Sequence, residues 1–231
     1  MIRRALTAAL TVVLVVGGGF SAQAGPADYL LPVEEHTTAK ARALASKYRP
    51  QLLQFSEYVY HCLPYLEIPK NARLGFKRNA KEKTTDDRFA ALWLFVEQGD
   101  DPSFAALPAA RQASAVFSRY GVPMLRRLAS IQGLASDADV YGFSVAVAWV
   151  KPGSDPNKPT LETLATFVDQ ASTRAFLDKT LPATDYVQKM KIYFFDGEKE
   201  MGRLPLEIWE DNFVTTYKVP NYEVQKGYTC P

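Results

Sequence analysis

The stretch from Val140 to Val150 reads Val-Tyr-Gly-Phe-Ser-Val-Ala-Val-Ala-Trp-Val and constrains the chain more than any other. Tyr141, Phe143, Val145, Val147 and Trp149 alternate with Gly142, Ser144, Ala146 and Ala148, which is the period-two signature of a strand. One face is bulky and the other nearly flat. The bulky face supplies apolar area for a core, whereas a flat face lets a helix approach closely. Residues before this strand read as helix and most of those after it as strand, so the expected class is α+β.

The first residues bear on compartment. Arg3 and Arg4 precede an apolar run from Ala5 to Val16, then Gly17 to Gly19, then Ala22-Gln23-Ala24. This order predicts a signal peptide over 1–24 with cleavage after Ala24, and so an exported chain, periplasmic or secreted. The alternative, a membrane anchor, is disfavoured because Ala5 to Phe20 is 16 residues, short of the roughly 18 apolar residues a spanning helix needs. Removing the leader takes two of the 27 basic residues and none of the 25 acidic ones, leaving no formal net charge. Global charge therefore gives no support for nucleic-acid binding.

Cys62 and Cys230 are the only cysteines. An even count in an oxidising compartment points to a disulfide, against the alternative of a buried thiol at Cys62 and a free tail thiol at Cys230.

After an extended segment over 25–36, with His36 in a mobile stretch, residues 37–135 read as a helical subdomain of about four helices. Ala41, Leu44, Ala45, Tyr48, Leu52, Phe55, Val59 and Cys62 recur at three- and four-residue steps, straight through Pro50. This spacing predicts one long helix, kinked at the proline or broken there. Pro64 to Lys83 reads as a long loop carrying Lys70, Arg73, Lys77, Arg78, Lys81 and Lys83. Such a cluster fits either an anionic partner surface or an ordinary solvated loop. Thr84-Thr85-Asp86-Asp87 supplies cap oxygens for a helix through Phe89, Leu92, Trp93 and Val96 to Gly99. Further helix starts fall at Asp101-Pro102 and Leu107-Pro108, with a stop at Gly121 and a last short helix from Pro123 to Gly133. The paired acids at 86/87 and 100/101 are thereby assigned to helix starts, not to catalysis.

Residues 136–231 read as strand, helix, strand, strand, strand. Lys151 to Pro159 is a loop by composition, and Leu161, Leu164, Val168, Ala171 and Ala175 follow helical spacing as far as Leu181-Pro182. Met190, Ile192 and Phe194 alternate with Lys191, Tyr193 and Phe195 before an Asp196-Gly197 hairpin turn. Leu204 to Ile208 is expected to form the return strand, an edge because of Pro205, and Phe213 to Val219 a further short strand. The expected architecture is thus a helical half packed on an antiparallel sheet of about four strands with one helix across it, with 37–231 as one cooperative unit. This order resembles the cystatin-like arrangement in topology only, and no inhibitory motif accompanies it.

Chemistry is sparse. Gly142-Phe143-Ser144-Val145-Ala146 approaches a nucleophile elbow, but the strand alternation continues past Ser144 and both histidines, His36 and His61, precede it. Two histidines and two distant cysteines form no recognisable metal cluster, and no dinucleotide or nucleotide fingerprint implies a cofactor. Glu57 lies one helical turn before His61, a pairing usable for acid-base chemistry and equally an ordinary surface pair. The expectation is a non-catalytic exported protein that binds a protein, small-molecule or anionic-surface partner through the basic loop or a Tyr- and Trp-rich sheet face. The alternative is a periplasmic enzyme using carboxylate or His61/Glu57 chemistry.

Overall fold

The computed structural model describes residues 25–63, 66–78, 87–96, 102–202, 204, 206 and 229–230. The leader, Lys81, Lys83 and the strand expected over 213–219 lie outside the described residues. The first helix, α1, spans Ala39–Cys62 and carries Pro50 inside it without ending there. Its apolar stripe is the reason: Leu44, Tyr48, Leu52, Phe55 and Val59 are all buried on one side of the proline or the other, and that burial outweighs one lost backbone bond. Thr38 caps the helix, its hydroxyl accepting from the Ala41 N–H at 3.1 Å.

Strands β1 (Leu66–Glu67) and β2 (Gly75–Lys77) follow, both antiparallel to β3 (Phe89–Val96). These correct two expectations. The described part of the basic segment is not a structureless loop, and Phe89 to Val96 is a strand rather than a helix. That octapeptide is apolar at every position, and an unbroken apolar run fits a strand buried on both faces as well as it fits a helix. Asp87 accordingly starts no helix. Its carboxylate accepts from the Thr37 N–H and the Thr38 hydroxyl, each at 2.6 Å, and so fixes the entry to α1.

The crossover from β3 is helical: α2 (Pro102–Ala105), α3 (Ala109–Val116), a π turn over Phe117–Gly121, and α4 (Val122–Ala129). The sequence stop at Gly121 and restart at Pro123 are overridden, because the wider π turn absorbs the proline's missing donor. The chain then enters β4 (Gly142–Val150), parallel to β3, and β5 (Leu161–Asp169), antiparallel to β4. Strand β5 replaces the first part of the helix expected over 161–181; within that range only α5 (Gln170–Leu177) is helical, and α6 (Ala183–Lys189) follows it. The hairpin β6 (Lys191–Asp196) and β7 (Lys199–Gly202) turns at Gly197, whose φ of 60° suits glycine. The return strand therefore lies earlier than expected, and Leu204 and Leu206 are outside it.

The result is a mixed seven-stranded sheet in the order β1-β3-β4-β5-β6-β7, with β2 also on β3. The late elements run strand, strand, helix, helix, strand, strand, so the cystatin-like order is not reproduced. Phe143, Val145, Val147 and Trp149 of β4 are fully buried beside Leu92, Leu94 and Leu164, as the alternation predicts. Tyr141, expected on the same face, instead precedes the strand and is exposed, with Arg88 stacked on its ring at 3.4 Å. Helices cover this face. Tyr48 of α1 lies 6.4 Å from Phe76 of β2, Arg127 of α4 stacks on Tyr58 of α1 at 3.3 Å, and Arg126 of α4 stacks on Phe176 of α5 at 4.8 Å. Helix α5 is therefore in the same layer as α1 and α4, not on the flat face of β4. There, aromatic rings from the neighbouring strands meet above the small residues, Phe89 to Phe167 at 5.9 Å and Phe167 to Tyr193 at 6.1 Å, both edge-on.

Candidate groove between α1 and α4

Cys62 and Cys230 form a disulfide, with Cα atoms 5.7 Å apart across 168 residues of sequence. It ties the C-terminus to the last turn of α1. On the chain-entropy model such a loop stabilises by about 5 kcal/mol. Beside the bridge, Thr229 joins residues of α1 and α4 around an open groove of about 990 Å³.

The groove owes its composition to two helix flanks that the apolar stripes leave over. Its apolar lining comes from Phe55 of α1 and from Val122, Met124 and Ile131 on or just after α4. The polar lining comes from Gln51, Gln54, Glu57 and Tyr58 on α1 and from Arg126, Arg127, Ser130 and Gln132 on the other wall. Arg126 and Arg127 sit in the last turn of α4, where cations oppose the negative end of the helix dipole. Neither is engaged by a carboxylate among the described residues; each lies against an aromatic ring instead. The Gln51 side-chain oxygen is buried and accepts no hydrogen bond among the described residues. Ser130 is already committed, its hydroxyl donating to the Arg126 carbonyl at 2.8 Å.

Glu57 lines this groove, but His61 does not. The His61 ring stands edge-on to Tyr60 at 4.8 Å, near the disulfide end of α1. This groove therefore does not itself bring the two candidate catalytic residues together. Ser144 is mid-strand in β4 and buried. His36, expected in a mobile stretch, is instead buried, 2% exposed, between the 3-10 turn over Val33–Glu35 and the sheet edge. Among the described residues no group of three or more His, Cys, Asp or Glu is placed to hold a metal ion, and no described helix is long and apolar enough to cross a membrane.

The basic segment is dispersed. Arg73 pairs with Glu35 at 2.8 Å, and with Lys70 and Arg49 it lines a smaller cavity of about 320 Å³ that also holds Asp28. Lys77 is half-buried in β2, where burial pushes its amine below the usual lysine value. Arg78 is exposed.

Two further ionisable clusters are structural. Burial raises Asp137, but hydrogen bonds from Lys47, the Asp139 N–H and Tyr48 outweigh it and hold the carboxyl below its usual value. Glu162 is buried on the helix-covered face of β5, and burial holds it above the usual value despite the Trp149 Nε1–H donated to it at 2.9 Å.

Arg126, Arg127 and Gln51 were not singled out by sequence. Adjacent arginines after Met124 are the only trace, and they gain meaning when α1 lies opposite. Compared with protein-family models, with curated proteins and with solved structures, the chain matches none.

Proposed function

We propose that this is an exported, non-catalytic binding protein whose α1–α4 groove takes a small anionic amphiphile. One observation carries the reading: Arg126 and Arg127 face a groove with an apolar lining and have no carboxylate partner among the described residues. A carboxylate or phosphate would supply the missing charge, with bidentate hydrogen bonds open to each guanidinium. An alkyl or aryl body would lie along Phe55 and Met124.

Export is supported by the leader pattern and by the disulfide. The Gly25 N–H donates to the Asp28 carboxylate at 2.8 Å. Cleavage after Ala24 would turn that donor into an ammonium and strengthen the same bond.

N-Decanoylglycine carries a carboxylate, an amide donor and an alkyl body, and its methyl ester lacks only the charge. Calorimetric titration of the disulfide-bonded chain should show binding of the acid and at least tenfold weaker binding of the ester. Arg127→Gln should weaken the acid by about tenfold or more, the cost of one charge-assisted hydrogen bond. Equal affinities for acid and ester, or no binding of either, would refute the reading.

A further inference from the structure

The first described residues, 25–38, form a strap across the sheet edge. Leu31 N–H donates to the Leu74 carbonyl and Leu74 N–H to the Tyr29 carbonyl, both at 2.8 Å. His36 completes the contact from inside the protein. Its Nε2 lies 3.2 Å from the Phe76 backbone nitrogen, on the side of β2 that has no neighbouring strand among the described residues, and its Nδ1 lies 3.0 Å from the Pro32 carbonyl.

The partners fix the tautomer. A backbone N–H can only donate, so Nε2 must be the acceptor; a carbonyl can only accept, so Nδ1 carries the hydrogen. A second proton would go on Nε2 and point at the Phe76 N–H. The ring is 2% exposed, and water has little room to relieve two opposed donors. There is no slack at the contact either, since a Cβ on Gly75 would lie 2.8 Å from Leu31 Cβ and 3.3 Å from His36 Nε2.

We propose that neutral His36 latches the 25–38 strap to the edge of β2, and that protonation of its Nε2 opens the latch and exposes that edge. The surrounding charges leave the imidazolium without compensation. From α1, Arg42 donates to the His36 carbonyl at 2.7 Å, a like charge. From the segment before β2, Arg73 is tied to Glu35 at 2.8 Å, while Glu34 is exposed on the strap. Lys77 in β2 is cationic or neutral, never an anion. The Asp87 carboxylate, ahead of β3, is committed to Thr37 and Thr38. Asp87 holds the neighbouring end of the strap, and hydrogen bonds from Thr38 and Thr37 keep it below the usual carboxylate value against the effect of burial. Asp87 therefore stays a carboxylate between pH 7.5 and 5.0.

The test is amide hydrogen exchange on the full chain at pH 7.5 and 5.0, corrected for the intrinsic pH dependence of exchange. Protection of Leu31, Leu74 and Phe76 should fall at least tenfold at pH 5.0, while β4 and β5 stay protected. In His36→Gln the amide oxygen still accepts from Phe76 and does not titrate, so the fall should disappear. Unchanged protection in the wild type, or an equal fall in His36→Gln, would overturn the proposal. Should His36→Gln fail to fold, long-range proton–nitrogen NMR on the wild type decides: Nε2 must read as unprotonated at pH 7.5, and a hydrogen found there refutes the latch.

Discussion

On the helix-covered face of the sheet, Leu94, Val147 and Leu164 sit side by side and fully buried. On the opposite face the same three strands present Trp93, Ala146 and Ala165, all half-buried. The two faces solve the packing problem differently. The first is a dry layer filled by side chains from α1, α4 and α5. The second uses the small residues of β4 as a floor above which Phe89, Phe167 and Tyr193 reach one another from the flanking strands. A flat strand face therefore did not imply a helix above it; it made room for rings from the strands beside it.

The sharpest way to break this comparison is to place one charge on each face. Val147→Asp should cost more than about 4 kcal/mol and unfold the chain in one step, because a buried carboxylate has no partner there. Ala146→Asp, one residue away on the half-buried face, should cost only about 1–2 kcal/mol. Urea unfolding followed by circular dichroism measures both. Equal costs would mean that the second face is as dry as the first.

How far each face was legible in the sequence follows the same division. Strand β4 was readable because one of its faces is bulky and the other small, so the period of two survives. Strand β3 was not, since Phe89 to Val96 is apolar toward both sides and alternation vanishes. Strand β5 was hidden by its inward polar residues. Glu162 and Thr166 face the core with Leu164 and Val168, while the outward Leu161 completes a misleading helical spacing. The groove was less legible still, because Gln51 and Arg127 are far apart in sequence and meet only once α4 lies along α1.

Next in size is the disulfide. Cys230→Ser should lower stability by about 2–5 kcal/mol. Because the bridge joins the helix layer, the loss should first loosen α1 and the groove. Trp149 and Trp93 report on the helix-covered and opposite faces respectively. In separate Trp→Phe backgrounds, the transition seen by Trp149 should move with the Cys230→Ser change. An unmoved midpoint would show that the layer is held by packing alone.

The smallest effect tests the one acid on the dry face. Burial holds folded Glu162 above its usual value, so the native state takes up its proton at higher pH than the unfolded chain does. Stability from this group is therefore present below the unfolded value near 4.5 and is lost as pH rises through the folded one. Glu162→Gln, which keeps an oxygen for Trp149, should be more stable than wild type near pH 7, with the advantage gone by pH 4. Urea midpoints at the two values check the sign, and an advantage that grew toward acid would contradict it.

Local pattern was enough for α1, the β4 strand, the Asp196-Gly197 turn and the α+β class, because period and turn chemistry act over a few residues. It also placed the two cysteines whose bridge the structure contains. Tertiary structure alone decided that α1, α4 and α5 share one layer, that β3 and β5 are strands, and that His36 is buried against Phe76. Those outcomes depend on which surfaces meet across long sequence separations. A side chain's own spacing says which way it points, but only its neighbour in space determines whether that direction is core, groove or solvent.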